Sequence, residues 1–302
     1  MSKIQHISFF AMGTRCSIVL PEIGEEEADD LFRLIKNEIA RIEGMLSRFK
    51  SDSMVCALNK QASKESVVVN RELFRILKTV AYYYQKTGGY FDVTLRPLLQ
   101  HWKENSEVEL NSIKQVMHSV GMDKVRIEER GRTVFFAGDD IELDFGGFGK
   151  GYALERVNDM LLRYGLGSGF LTMGESSILT LGQHPAGDCW KVGIKNYKMP
   201  DSVIHTYHMK YGSVSTSSNF FVADDGKIVH HQHVINPKTG MPVEELVTVS
   251  VFSQSAVQAE VLSTAFLVMP ENQISDTVEQ FPDVEVLKVD YQSDEIRKKI
   301  WD

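Results

Sequence analysis

The sequence lacks several features that would place it in a specialised class of proteins. Its three cysteines, Cys16, Cys56 and Cys189, are too few and too scattered for a disulfide framework or a four-ligand zinc site. No stretch reaches the roughly 18 apolar residues that a membrane-spanning helix needs. The net charge of −8 provides no positive field for nucleic acid or anionic membranes. We therefore expect a globular protein with no nucleic-acid partner, no transmembrane segment and a reducing environment.

The 302 residues contain enough apolar material for a full core, since 43% of them are hydrophobic. The first residues show no continuous apolar segment followed by a small-residue cleavage site. We therefore expect a cytoplasmic protein without an export signal. No internal repeat and no proline- or serine-rich linker divides the chain, which predicts one domain over residues 1–302.

Apolar periodicity predicts helices and strands that are segregated along the chain more than they alternate. Helical spacing predicts helices over 31–46, 72–87, 111–121, 150–164 and 255–269. Strand-like patterns cover 7–20, 124–137, 141–144, 168–173, 177–182, 189–195, 204–210 and 246–253. This arrangement favours an α+β fold with mostly antiparallel sheets over a doubly wound parallel sheet.

The segment from Asp144 to Tyr152 runs from a predicted strand end through several glycines into a predicted helix. Such a loop exposes N–H groups at the positive end of a helix, where a phosphate can bind. It matches neither common nucleotide motif, because Lys150 is followed by Gly151 where a P-loop requires Ser or Thr. The residues alone leave open a crowded turn with a solvated lysine.

Glu260 and Thr264 lie four residues apart on a predicted helix. A carboxylate and a hydroxyl therefore project from one helix face, and both are hard oxygen ligands suited to magnesium. An ordinary surface contact explains the same spacing.

Elsewhere, Tyr90, Phe91 and Asp92 place two aromatic rings beside a carboxylate. This combination suits a flat heteroaromatic ring, but it also fits a helix end followed by core aromatics.

His233 ends a strand-like stretch and precedes a tight turn at Asn236-Pro237. Its unperturbed pKa lies near neutrality, so it could accept a proton from an attacking hydroxyl. A structural histidine is the alternative interpretation, and the neighbouring His230 and His231 weaken an argument from residue type alone.

Together and in this order, these segments resemble the FAD:protein FMN transferase family, also called ApbE-like. The resemblance runs from Met12-Gly13-Thr14 through Ser47-Arg48-Phe49, residues 87–94, 144–152 and 233–240, to residues 259–265. It implies a T-fold-like α+β architecture that encloses FAD in a cleft. It also implies a magnesium-dependent transfer of FMN from FAD to a threonine or serine hydroxyl of an acceptor flavoprotein, with release of AMP.

The resemblance further implies a role for individual residues. Met12, Phe49, Tyr90, Phe91, Asp92, Asp144 and Lys150 would bind FAD; the main-chain carbonyl of Gly147 would hold Mg²⁺ with Glu260 and Thr264; and His233 would transfer a proton. The chain departs from the family pattern at several positions: Glu260 replaces an aspartate, Phe49 a tyrosine, Tyr90 a small residue and Glu175 a glycine, and the segment Thr216-Ser217-Ser218 has serine where glycine is common. These departures leave open an FAD-binding protein without transferase activity, or a magnesium-dependent FAD pyrophosphatase.

Overall fold

The computed structural model describes residues 4–302 apart from 106–107, 200, 224, 226, 231–233 and 294. The helices of this part are α1 (Glu25–Leu46), α2 (Met54–Gln61), α3 (Arg71–Lys86), α4 (Arg96–Glu104), α5 (Leu110–Val116), α6 (Gly149–Arg163), α7 (Ala256–Val268) and α8 (Glu271–Val278). Its strands are β1 (Ile4–Ala11), β2 (Thr14–Pro21), β3 (Val67–Val68), β4 (Val125–Glu128), β5 (Thr133–Phe136), β6 (Gly169–Met173), β7 (Ser177–Leu181), β8 (Trp190–Lys195), β9 (Val203–Met209), β10 (Gly212–Ser218), β11 (Phe220–Val222), β12 (Ile228–His230), β13 (Val247–Ser253), β14 (Glu285–Asp290) and β15 (Arg297–Trp301). None of the helices in these ranges is long and apolar enough to cross a membrane.

An eight-stranded sheet in the order β1-β2-β6-β7-β10-β13-β14-β15 forms the centre of the fold. Every adjacent pair in it is antiparallel. Both faces of its middle strands are covered, because α7 packs on one face and the β8–β9 hairpin on the other. The predicted α+β class with antiparallel sheets is thus confirmed, and the predicted helices at 31–46, 72–87, 150–164 and 255–269 correspond to α1, α3, α6 and α7.

Helix α7 is the most enclosed helix near the cleft described below. Eleven of its 13 residues are buried, including Glu260. Because α6 packs along one side of α7 and strands β10 and β13 along another, α7 has almost no solvent-facing side. A glutamate on such a helix needs a partner, since an unpaired buried charge is costly.

Residues 141–144, predicted as a strand, belong to no sheet. Leu143 instead exchanges two hydrogen bonds with the side chain of Asn59, at 2.9 and 3.0 Å. The Asp144 N–H donates to the Val93 carbonyl at 2.7 Å. The strand prediction was wrong because a helix side chain and a loop satisfy this backbone, and no neighbouring strand does.

A smaller apolar cluster links α4 and α5 to the turn that follows residue 234. Leu98, Ile113 and Ile235 are buried in it. Trp102 Nε1 donates a hydrogen bond to the Gly240 carbonyl at 2.8 Å and so fastens the turn to α4. This cluster closes one side of the cleft.

Candidate functional site

A cleft of about 1000 Å³ lies between α6, α7, the loop that precedes α4, and strands β7, β8 and β10. This volume is at the upper end of the range for pockets that enclose an organic ligand. Eight predicted site residues line it: Tyr90, Phe91, Asp92, Asp144, Gly147, Lys150, Glu260 and Thr264. Residues from three separate parts of the chain therefore meet at one place.

The glycine-rich loop at this cleft is held at both ends. The Asp144 carboxylate accepts a hydrogen bond from the Gly146 N–H at 2.9 Å and forms an ion pair with Arg48 at 2.6 Å. At the other end, a Cβ on Gly151 would lie only 2.5 Å from the Ala256 carbonyl oxygen. Glycine is therefore required at position 151 for α6 and α7 to approach each other.

The Glu260 carboxylate is 2% exposed and is bound by the start of α6. Its Oε1 lies 2.7 Å from the Lys150 ammonium, and its Oε2 accepts a hydrogen bond from the Gly151 N–H. The N-cap residue of α6, Phe148, supplies no side-chain hydrogen bond. Glu260 therefore caps α6 from another helix and neutralises Lys150 at the wall of the cleft.

The other two predicted magnesium ligands lie next to each other on the same wall. A Cβ on Gly147 would lie 3.4 Å from Thr264 Oγ1. Thr264 Oγ1 donates to the Glu260 main-chain carbonyl at 3.0 Å and lies 3.4 Å from Ser217 Oγ. The Thr264 hydroxyl is thus held in place beside the glycine-rich loop.

The Glu260 carboxylate, the Thr264 hydroxyl and the Gly147 carbonyl are oxygen donors of the kind that suit a magnesium ion. The Lys150 ammonium already occupies the cation position at the Glu260 carboxylate. The residues that the structure describes contain no group of three or more His, Cys, Asp or Glu side chains that could hold a metal. An ion here would therefore take most of its ligands from main chain, hydroxyl, water and phosphate oxygens, as Mg²⁺ commonly does beside phosphates.

The aromatic residues of the cleft follow the end of α3. The Thr87 hydroxyl donates to the Tyr83 carbonyl at 2.7 Å and accepts from the Phe91 N–H at 3.0 Å, which fixes the turn. The Lys238 ammonium lies 5.6 Å from the centroid of the Tyr90 ring, within cation–π range. Tyr90 and Phe91 therefore reach the cleft from a rigid segment.

Asp92 is a buried carboxylic acid at the cleft, and no ion pair of the described residues includes it. Its Oδ1 accepts from the Thr94 N–H at 2.8 Å and from the Thr94 hydroxyl at 2.6 Å. Burial raises the pKa of Asp92 to about 6, and these hydrogen bonds oppose the rise only in part. Asp92 can therefore gain or lose a proton near neutral pH.

Two predicted residues, Met12 and Phe49, do not line the cleft, and a third lies outside the described residues. The Met12 side chain packs toward the glycine-rich loop, since a Cβ on Gly149 would lie 2.9 Å from Met12 Cε. Phe49 is 79% exposed, with the Arg48 guanidinium 3.8 Å from its ring centroid. His233 lies outside the described residues, so its role stays a prediction.

The cleft also contains residues for which sequence reasoning gave no role. Arg48, Glu175, Lys195, Tyr197 and Ser217 all line it. Arg48 belongs to the segment Ser47-Arg48-Phe49 that carries part of the family resemblance, but only the fold shows that it pairs with Asp144. Lys195 and Tyr197 come from the β8–β9 hairpin, whose placement against the sheet depends on contacts distant in sequence.

The protein therefore has an α+β fold with a large ligand-binding cleft beside the glycine-rich loop at the start of α6. A sequence model described as the ApbE family matches residues 12–288, and the chain belongs to that family. This finding confirms the resemblance on which the prediction rested.

Individual relatives agree with this assignment. The chain is 26% identical over 282 residues to the FAD:protein FMN transferase of Treponema pallidum, covering 86% of this chain and 75% of that protein. The crystal structure of the ApbE protein from Thermotoga maritima superposes with a TM-score of 0.85 at 26% identity, over 98% of this chain and 97% of that one. The flavin transferase ApbE from Vibrio cholerae, at 22% identity, gives a TM-score of 0.86 over 99% and 97%, which supports the fold.

Proposed function

We propose that this protein transfers FMN from FAD to a threonine or serine hydroxyl of an acceptor flavoprotein and releases AMP. The observation that carries the proposal is the meeting of Lys150 and the glycine-rich loop before α6 with Tyr90 and Phe91 in one cleft of about 1000 Å³. A lysine beside a glycine-rich loop suits a pyrophosphate, and aromatic rings suit a flavin. The names of the ApbE-family relatives support the same reaction.

In this reaction the acceptor oxygen forms a bond to the phosphorus of FMN, while the bond from that phosphorus to the AMP oxygen breaks. AMP leaves with the electron pair, and the acceptor proton passes to a base, for which His233 is the predicted residue. The contribution of the chain is to hold the pyrophosphate in line and to stabilise its charge. Lys150 and the loop residues Gly146 and Gly147 face the phosphates in this proposal, and Tyr90, Phe91 and Asp92 face the flavin.

Magnesium dependence belongs to the proposal. The Gly147 carbonyl, the Thr264 hydroxyl and Glu260 would hold the ion, which when bound neutralises charge on the pyrophosphate oxygens. Ligation by Glu260 requires its Oε1 to be shared with, or released by, Lys150, since the two atoms are 2.7 Å apart.

The test starts from purified protein and FAD. We expect FAD to bind, AMP to appear after addition of MgCl₂ and a threonine-bearing acceptor protein, and the acceptor mass to increase by FMN minus water. The matched control is the same acceptor with its threonine replaced by alanine. Bound FAD without any AMP would identify a flavin-binding protein, and AMP without acceptor labelling would identify a pyrophosphatase; either result contradicts the transferase proposal.

A further inference from the structure

The two oxygens of the Glu260 carboxylate have different kinds of partner. Oε2 accepts from the main-chain N–H of Gly151, so it is fixed to the helix. Oε1 is 2.7 Å from the ammonium of Lys150, which ends a flexible side chain that is 24% exposed and lines the cleft. Only the second partner can leave without breaking α6.

Lys150 cannot fully serve Glu260 and a bound pyrophosphate at once. A phosphate beside the pair would be attracted to the ammonium and repelled by the buried carboxylate. If Lys150 turned to the phosphate alone, Glu260 would be left as a buried unpaired charge, which is strongly unfavourable. A second cation at Oε1 removes both difficulties.

We propose that Lys150 is the resident counter-ion of Glu260 and that magnesium displaces it, which frees Lys150 to bind a pyrophosphate in the cleft. Oε1 passes from the ammonium to the ion, Oε2 keeps its hydrogen bond to Gly151, and the Lys150 side chain turns to the phosphates. The inference rests on the proposed function for its ligand. The competition between Lys150 and magnesium for Glu260 can nevertheless be measured without FAD.

The molecule offers a matched control for this exchange. Glu155 of α6 caps α7 as Glu260 caps α6: it accepts hydrogen bonds from the Val257 N–H, at 3.2 Å, and from the Ser255 hydroxyl. Glu155 does not line the cleft and has no lysine partner among the described ion pairs. A change there tests the loss of a cross-helix cap alone.

The first experiment titrates MgCl₂ into FAD-free protein by calorimetry. Lys150→Met should bind Mg²⁺ about tenfold more tightly than wild type, because the competing ammonium is gone. The gain should vanish in the double variant Lys150→Met/Glu260→Gln, and Glu155→Gln should retain wild-type affinity. Wild-type or weaker affinity in Lys150→Met, a gain that persists in the double variant, or no saturable binding at millimolar MgCl₂ would overturn the proposal.

The second experiment uses wild-type protein and so does not depend on the folding of a variant. Amine labelling followed by mass spectrometry measures how fast Lys150 reacts, with MgCl₂ or with NaCl of equal ionic strength. We expect MgCl₂ to raise the rate at Lys150 severalfold and to leave Lys78, which pairs with Glu129, unchanged. An unchanged rate at Lys150 would refute the exchange even if the protein transfers FMN. A protein that shows the exchange but never binds FAD would instead refute the proposed function.

Discussion

The two walls of the cleft are built in opposite ways. On the wall formed by α6 and α7, buried charges meet partners, and each helix start is capped by a glutamate of the other helix. The opposite wall, at the turn between β6 and β7 and on β8, presents exposed charges at Glu175 and Lys195. The first wall, which we call the fixed wall, can hold a ligand group in one position. The second, which we call the adaptable wall, can adjust its charged side chains to the polar groups of the ligand.

The largest expected effect on stability concerns the close approach of α6 and α7, on which the fixed wall depends. Gly151→Ala would place a Cβ 2.5 Å from the Ala256 carbonyl oxygen and 2.9 Å from Glu260 Oε2. We expect a loss of about 3 kcal/mol in the free energy of unfolding, measured by urea denaturation, because backbone must move. Gly44→Ala in α1 is the control: its Cβ meets nothing within 4 Å, so that variant should gain up to about 1 kcal/mol. Equal effects at the two positions would show that the helices are not in tight contact.

Asp92, on the loop between α3 and α4, differs from the charges of the α6–α7 wall, since its buried carboxyl has no cation beside it in the described ion pairs. Its pKa is about 6 in the folded protein and about 3.9 when unfolded, so the folded state binds the proton more tightly. Stability should therefore fall as pH rises from about 4 to about 6 and stay lower above that range. Asp92→Asn should be more stable than wild type by about 2 kcal/mol at neutral pH, with the difference lost below about pH 4.

Urea unfolding at a series of pH values measures this difference. The exposed Asp201→Asn is the control and should change stability little at any pH. A neutral-pH stability of Asp92→Asn equal to or below that of wild type would mean that the carboxylate has a cationic partner or is hydrated in solution.

How much of this site can be predicted from the sequence depends on how far apart along the chain the interacting residues lie. The start of α7 was predictable, because Ser255 is a local cap that accepts from the Gln258 N–H three residues on. The start of α6 was predicted to within one residue, but its cap was not, since Glu260 lies 109 residues from Gly151 in sequence. Residues 141–144 were mistaken for a strand for the same reason, because their partner Asn59 lies far along the chain.

The local cap of α7 gives the next prediction. Ser255→Ala removes the side chain that caps α7 and one partner of Glu155, so we expect a loss of about 1 kcal/mol in the free energy of unfolding. Ser275→Ala, an exposed serine within α8, should lie within about 0.5 kcal/mol of wild type. If both variants match wild type, the cross-helix cap from Glu155 is sufficient for α7.

The smallest expected effect concerns Glu175, on the adaptable wall. Glu175 has a φ of +58°, a left-handed conformation that costs a residue with a Cβ roughly 1 kcal/mol. Glu175→Gly should therefore raise the free energy of unfolding by up to about 1 kcal/mol. Glu22→Gly, at a φ of +62° and away from the cleft, is the matched control and should gain a similar amount. A gain at Glu22 without one at Glu175 would show that the Glu175 side chain makes compensating contacts, which would place it with the fixed wall and end the contrast between the two.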